Sequence, residues 1–145
     1  MTIDSLEALR DAIRASTGPD DDTRPLEVAL AELVLGWTNV KLYPRGWHGD
    51  SPHEAGYPRR FLLPAYLDPI AGPGALFAAA RERWPECCLS AEALPAKYGC
   101  SARFIQSHAV TGLTINELSV HPLLTHALAL AMVEAAIQER DNANV

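Results

Sequence analysis

The chain has 145 residues, a net charge of −6 and 48% hydrophobic side chains, which together predict one folded domain over residues 1–145 and argue against disorder. Its 12 lysines and arginines against 18 acidic residues exclude the broad basic face that a nucleic-acid polymer requires. No apolar run approaches the ~20 residues of a membrane span, and three cysteines favour a reducing compartment over a disulfide framework.

Two helices are predicted near the N-terminus. Asp4 or Ser5 can cap the first, which Gly18-Pro19 ends. Its apolar positions recur at helical spacing: Leu6, Leu9 and Ile13. Pro25 favours the first turn of a second helix that runs to about Leu35 and ends at Gly36. The acidic residues 20–22 are interpreted as complements to the positive end of this helix, because they lack the ligand spacing of a calcium loop.

No clean period appears between Trp37 and Tyr66, so this segment is predicted to be a long functional or poorly ordered connection. Asp68-Pro69 then reads as a cap and first turn. Gly72-Pro73-Gly74 is expected to interrupt that turn, and a helix resumes from Ala75 to Trp84.

Strands are predicted between Glu86 and Val120. Cys87 to Ser90 is a short candidate, and two longer runs, 102–110 and 113–120, flank Thr111-Gly112, which indicates a hairpin. Pairing Val110 with Leu113 gives two faces of mixed polarity. Helices covering parts of both sides would explain this mixture, so the sequence predicts an α+β fold, an α-β-α sandwich with a small antiparallel sheet.

The last helix is predicted to open at Pro122 and to be apolar almost all round from Leu123 to Ile137. Such a helix is buried centrally or in a subunit interface, which includes a homo-oligomer formed through this helix. The polar tail from Glu139 to Val145 is expected to fray.

Two segments near the chain ends resemble the small bacteriophage proteins of the phage ABA sandwich domain family. The first is Thr17-Gly18-Pro19-Asp20 with the following helix and Gly36-Trp37, and the second is residues 125–131, THALALA. The middle of the chain matches the family poorly. Tyr66-Leu67-Asp68 matches part of a helix motif of the family, but Gly72-Pro73-Gly74 does not fit that motif. The resemblance implies a sandwich fold and a phage protein in the cytoplasm of an infected bacterium. The N-terminus, which lacks a signal peptide pattern, agrees with that location. The family carries no agreed activity.

Standard catalytic and phosphate-loop motifs do not occur in the sequence, and no cofactor is predicted. The nearest metal cluster is His48, Asp50, His53 and Glu54, whose spacing matches no known motif. Cys87 and Cys88 would point to opposite faces of a strand, so they and Cys100 are interpreted as small buried hydrophobes. His121 is expected in a cap or loop, and its five-residue distance from His126 argues against a joint site on one helical face.

One region of the chain is both basic and aromatic. Guanidinium groups bind phosphates and aromatic faces stack on bases, so this region predicts a site for a small nucleotide. Pinning of the loop by its aromatic side chains is the structural alternative. The candidate ligand-binding residues are Tyr43, Arg45, Trp47, His48, Tyr57, Arg59 and Arg60.

A second candidate cluster lies on the predicted hairpin. In the proposed register Gln106 faces Glu117, and His108 lies near them, an arrangement in which a carboxylate could orient an imidazole. The alternative is a cross-strand polar pair that only stabilises the surface.

The sequence thus favours a non-enzymatic binding protein of phage origin, acting against host defence by holding a small nucleotide signal or by binding a host protein. Two other hypotheses remain open. One is a small metal-dependent hydrolase that uses His48, Asp50, His53 and Glu54. The other is a structural or oligomeric phage accessory protein.

Overall fold

The computed structural model describes residues 3–17, 22–52, 60–95, 97–107 and 114–144. Four helices in these ranges are α1 (Leu6–Ala15), α2 (Arg24–Leu33), α3 (Gly72–Arg83) and α4 (Leu124–Ala143). Strands β1 (Thr38–Tyr43), β2 (Gly46–Asp50) and β3 (Phe61–Leu62) form one antiparallel sheet. Strands β4 (Cys88–Ala93), β5 (Cys100–Ser107) and β6 (Thr114–His121) form a second. The predicted α+β class is confirmed.

Helix α4 lies at the centre of the core. It packs against α1 and α3 and against the inner face of the β4-β5-β6 sheet. Ala102, Phe104 and Ile115 on that face are buried, and Phe104 meets the edge of Trp84 at a centroid distance of 4.8 Å. The apolar surface of α4 is therefore covered within one chain, which is the central of the two placements predicted for it.

The opposite face of the β4-β5-β6 sheet is exposed at Leu118 and Val120, whereas the sequence predicts helices over parts of both faces. Leu118 and Val120 are 56% and 53% exposed there. Beside them, the guanidinium of Arg103 donates to the side-chain oxygen of Asn116 at 3.1 Å. The helices that form the sandwich thus lie on the Phe104 side.

Ser5 and Pro25 lie at the starts of α1 and α2 as predicted. Helix α1 already ends at Ala15 and α2 at Leu33, and the predicted stop at Gly18-Pro19 lies outside the described residues. The side-chain oxygen of Ser5 accepts the Ala8 N–H at 3.1 Å and caps α1. Pro25 lies in the first turn of α2. Beyond α2, Gly36 has a φ of +79°, and the Trp37 N–H donates to the Ala31 carbonyl at 3.0 Å, as in a glycine-ended helix.

The prediction that Gly72-Pro73-Gly74 interrupts a helix is wrong, because α3 begins at Gly72. The carboxylate of Asp68 accepts the N–H groups of Ile70 and Ala71 at 3.0 and 2.8 Å. That turn delivers the chain to Gly72, whose N–H donates to the Asp68 carbonyl at 2.9 Å. Pro73 then occupies the first turn, where it loses no helical hydrogen bond.

The predicted fraying from Glu139 onward is also wrong, since α4 continues to Ala143. One carboxylate oxygen of Glu139 pairs with Arg83, and the other accepts the Trp84 indole N–H at 2.9 Å. This attachment to the end of α3 holds the polar part of α4 in place.

The segment from Trp37 to Tyr66 is the largest correction, because β1, β2 and β3 lie within it. Its strands pair β1 with β2 and β2 with β3, and Asn39, with a φ of 55°, marks an irregularity in the first pair. Within the described part of the chain, no helix is long and apolar enough to cross a bilayer.

Candidate functional site

The hairpin of β1 and β2 positions the predicted ligand-binding residues. Tyr43 pairs with Gly46, and Lys41 pairs with His48, so these side chains share one face of the hairpin because directly paired residues point to the same side. The turn residues Pro44 and Arg45 connect the two strands. Gly46 has a φ of +114°, a conformation that favours glycine at this turn.

Four of the seven predicted residues line one pocket of about 360 Å³, which we call the hairpin pocket: Tyr43, Arg45, His48 and Arg60, with Pro44. The Arg60 guanidinium lies 4.3 Å from the centre of the Tyr43 ring. The rings of Tyr43 and His48 meet edge to face at 5.7 Å. The aromatic ring therefore holds a guanidinium on its face and an imidazole at its side.

The imidazole of His48 is oriented by its own strand. Its Nδ1 lies 2.9 Å from the Gly46 carbonyl oxygen. Because a carbonyl only accepts, Nδ1 carries the proton of this hydrogen bond. The second nitrogen, Nε2, makes no hydrogen bond to any described residue.

The remaining predicted residues divide in two groups. Trp47 pairs with Leu42, so it lies on the other face of the hairpin from His48, where it packs against the core. Trp47 therefore attaches the hairpin to the core, which is the structural role that was the alternative to ligand binding. Tyr57 and Arg59 lie outside the described residues.

The two arginines of the hairpin pocket lack acidic partners, as do Arg81 and Arg103, among the described residues. Five other arginines pair with carboxylates: Arg10, Arg14, Arg24, Arg83 and Arg140. Arg45 and Arg60 pair with no carboxylate of the described residues, although the chain is acidic overall. Two exposed guanidinium groups beside an aromatic ring are suited to bind an anion.

The described residues do not bring the four predicted metal ligands together. His48 and Asp50 share a face of β2, and the Asp50 carboxylate accepts from the Asn39 amide at 2.8 Å. His53 and Glu54 lie outside the described residues. Across the parts of the chain that are described, no three His, Cys, Asp or Glu side chains form a group that could hold a metal ion.

The cysteines differ in their surroundings. Cys87 and Cys100 are partly buried against the core, and burial raises the pKa of the Cys87 thiol. Cys88 is exposed, so its interpretation as a buried hydrophobe is wrong. Cys88 begins β4 and Cys87 precedes it directly, and neighbouring residues of extended chain point to opposite sides.

The second candidate cluster has a different register from the predicted one. Gln106 pairs with Ile115, and Glu117 pairs with Phe104, whereas Gln106 was expected opposite Glu117. Burial and then the charge of Glu134 raise the pKa of Glu117. His108 lies outside the described residues, so the three-residue cluster is not formed by the described chain.

A larger cavity, of about 600 Å³, lies between the N-terminal ends of α2 and α4. Glu27, which is only 2% exposed, accepts the Leu67 N–H at 2.9 Å and pairs with Arg24 at 3.4 Å. Burial raises the pKa of Glu27 despite these contacts. Thr125 donates to the Leu67 carbonyl at 3.1 Å.

The polar groups of this cavity are therefore used by the chain itself. Glu27 and Thr125 fix the backbone of Leu67 from both sides, and Arg24 also donates to the carbonyls of Leu63 and Pro64. The hairpin pocket, in contrast, presents Arg45 and the Nε2 of His48 without such partners among the described residues. For this reason the hairpin pocket is the better candidate for a ligand.

His121 and His126 lie together although, as their spacing predicts, they do not share a helical face. Their rings stack at a centroid distance of 4.7 Å, because His121 ends β6 and only His126 belongs to α4. The Nδ1 of His121 accepts the Leu123 N–H at 2.9 Å. Its buried Nε2 has no partner of good geometry among the described residues. His126 lies 3.0 Å from the Ser16 hydroxyl.

This pair predicts a loss of stability in acid. Burial holds the pKa of His121 below its ordinary value, and the carbonyls of Ser16 and Ile13 offset only part of this effect. The folded state therefore binds fewer protons than the unfolded state, so the free energy of unfolding falls as the pH drops below about 6.5. Urea titrations of the natural chain and of His121→Asn at several pH values measure this.

The asparagine variant keeps the acceptor for the Leu123 N–H but does not titrate. Its free energy of unfolding should fall less between about pH 7 and pH 5 than that of the natural chain. Equal pH dependence in the two proteins would contradict a role for His121.

Comparisons of this chain with protein families, with curated proteins and with solved structures found no match. The resemblance of the chain ends to the phage ABA sandwich domain family therefore stays a prediction.

Proposed function

We propose that this chain is a non-enzymatic binding protein that holds a small nucleotide in the hairpin pocket. The observation that carries the proposal is the Arg60 guanidinium held over the Tyr43 ring in one pocket with Arg45 and His48. Cationic forks supply phosphate contacts, and the planar groups offer a surface for a base.

The size and charge of the pocket favour a small ligand over a polymer. A volume of about 360 Å³ lies within the range of small-molecule sites. The chain as a whole is acidic, with a net charge of −6, which disfavours an extended phosphate backbone. A single nucleotide needs only the local cations.

Part of the site is ordered before a ligand arrives. The contact of Arg60 with Tyr43 and the hydrogen bond of His48 to Gly46 restrict the Arg60 guanidinium and the His48 ring. Restriction of these rotamers in the free protein lowers the entropic cost of binding. This supports stoichiometric holding of a ligand, in which affinity matters and turnover does not.

The biological setting of the proposal comes from the resemblance of the chain ends. We propose a phage-encoded protein that acts in the bacterial cytoplasm and withdraws a nucleotide signal from host defence. Binding of a host protein through the same hairpin is the competing version, and a nucleotide-binding test separates the two.

The test removes both unpaired arginines of the pocket. We expect Arg45→Ala with Arg60→Ala to weaken nucleotide binding roughly a hundredfold, about tenfold for each lost charge-assisted contact. Isothermal titration calorimetry with AMP, ADP and ATP as probes measures the affinities.

The matched control is Arg81→Ala with Arg103→Ala, which removes the same charge from exposed positions elsewhere. This control should bind within about twofold of the natural chain. No binding of any probe by the natural chain, or equal weakening in both double variants, would refute the nucleotide site.

A further inference from the structure

We infer that the hairpin pocket selects a terminal phosphate, a phosphate monoester, over a phosphodiester, and that His48 is the residue that makes this selection. The inference rests on the proposed function, because it concerns the ligand of the same pocket. It adds the chemical class of the group that is bound and the atom that recognises it.

The first step is the fixed tautomer of His48. Its Nδ1–H donates to the Gly46 carbonyl at 2.9 Å, so the neutral ring carries its lone pair on Nε2. A lone pair repels phosphate oxygens, whereas Nε2–H of the charged ring donates to them. His48 therefore contributes to anion binding only after it takes up a proton.

The second step is the charge around the ring. Lys41 of β1 is paired with His48, and Arg45 and Arg60 line the same pocket. The nearest acidic side chain on this face of β2 is Asp50, which accepts from Asn39. From β3, His48 is paired with the uncharged Leu62.

A ligand with two negative charges suits this set of groups better than one with a single charge. The doubly charged ligand would lie among the cationic groups of the pocket. Its negative charge would favour the protonated imidazole of His48, because an opposite charge nearby stabilises the protonated form. A singly charged diester does so less. Binding of a monoester should therefore be coupled to proton uptake by His48, and binding of a diester should be coupled weakly.

The number of donors gives the same answer. Arg45, Arg60 and the protonated Nε2 of His48 are three separate donors on the pocket wall. A terminal phosphate has three free acceptor oxygens, so each donor can have its own. A phosphodiester has only two free oxygens and a single charge, so two of the three cationic groups would have to share one oxygen.

The test compares AMP with 3′,5′-cyclic AMP, which carry the same base and sugar but differ in phosphate class. For the natural chain we expect AMP to bind about tenfold more tightly at about pH 7. For His48→Asn we expect the preference to fall to about twofold or less. Asparagine can keep the hydrogen bond to the Gly46 carbonyl through its amide but has no group in the place of Nε2.

The matched variant is His48→Gln, whose longer side chain can place a neutral N–H where Nε2 lies. It should recover part of the preference for AMP without recovering proton uptake. Calorimetry in two buffers of different ionisation enthalpy measures that uptake. The natural chain should take up a fraction of a proton with AMP, and both variants should take up none.

The outcomes separate this inference from the function on which it rests. Equal affinities for AMP and cyclic AMP, or a preference unchanged in His48→Asn, would overturn the role of His48 and leave nucleotide binding standing. Absence of binding for both probes would overturn the two together. A melting temperature of His48→Asn close to that of the natural chain ensures that folding is not the cause.

Discussion

Replacing Gly72 with alanine is expected to lower the free energy of unfolding by about 3 kcal/mol, the upper end of the usual cost of forcing extra atoms into a packed site. A Cβ atom at this position would lie 2.3 Å from the Tyr66 carbonyl oxygen and 2.9 Å from Cγ2 of Thr125. Both distances are far below van der Waals contact, so the start of α3 must move. Chemical denaturation in urea measures the loss.

The neighbours of Gly72 leave little room for that movement. Its own N–H donates to the Asp68 carbonyl at 2.9 Å, and Thr125 is held by the Leu67 carbonyl at 3.1 Å. Shifting the backbone would therefore strain the turn before α3 and the first turn of α4 together.

Gly74→Ala is the matched control, since nothing lies within 4 Å of a Cβ placed there. At this helical position alanine should stabilise the chain by about 0.5–1 kcal/mol, because it lowers the entropy of the unfolded state. Similar losses for the two variants would show that glycine is needed throughout the turn and that the close approach at Gly72 is not the cause.

The sequence predicts those elements whose signals are local. Ser5, Pro25 and Gly36 act at helix ends in the way their chemistry indicates. The hydrophobic pattern also identifies α4 as a buried helix, because its apolar residues continue on all sides. These features need no knowledge of distant parts of the chain.

The β1-β2-β3 sheet, in contrast, could not be predicted from local signals in the sequence. β1 has mostly exposed side chains, including Leu42 at 66%, so the alternation that marks a half-buried strand is missing. Its strands exist because they pair with each other. A local signal is Pro44 followed by Gly46, a turn pattern. It predicts a hairpin only if the residues on both sides of the turn are assigned as strands.

Two further contacts could not be predicted from the sequence, and each for a different reason. A shift of the β5-β6 register by two residues leaves every side chain on its predicted face, so the pattern could not choose between Glu117 and Ile115 as the partner of Gln106. Glu27 was missed because its hydrogen-bond partner, Leu67, is 40 residues away. Contacts of this kind depend on the tertiary fold.

Glu27→Ala is expected to lower the free energy of unfolding by about 3 kcal/mol at neutral pH. The substitution leaves the buried Leu67 N–H without its acceptor and Arg24 without its carboxylate, and unpaired groups of this kind carry most of the cost of such changes. Urea denaturation measures the effect. Glu32→Ala, at an exposed position of the same helix, is the control and should change the free energy by less than about 0.5 kcal/mol.

Glu27→Gln separates the hydrogen bond from the charge. Its amide oxygen can still accept the Leu67 N–H, so the expected loss at neutral pH is only about 1 kcal/mol. A loss as large as that of Glu27→Ala would mean that attraction to Arg24, and not the bond to Leu67, is the main contribution.

The pH dependence of the glutamine variant follows from the raised pKa of Glu27, for which burial is the largest cause. The folded state then binds a proton more tightly than the unfolded state, whose carboxyl titrates near 4.5. The natural chain should therefore lose stability relative to Glu27→Gln as the pH rises from about 4.5 through the folded pKa. The cost of the substitution should be larger at about pH 5 than at pH 7. The reverse trend would show that the attraction of Arg24 exceeds the effect of burial, and the folded protein would then hold Glu27 as a carboxylate.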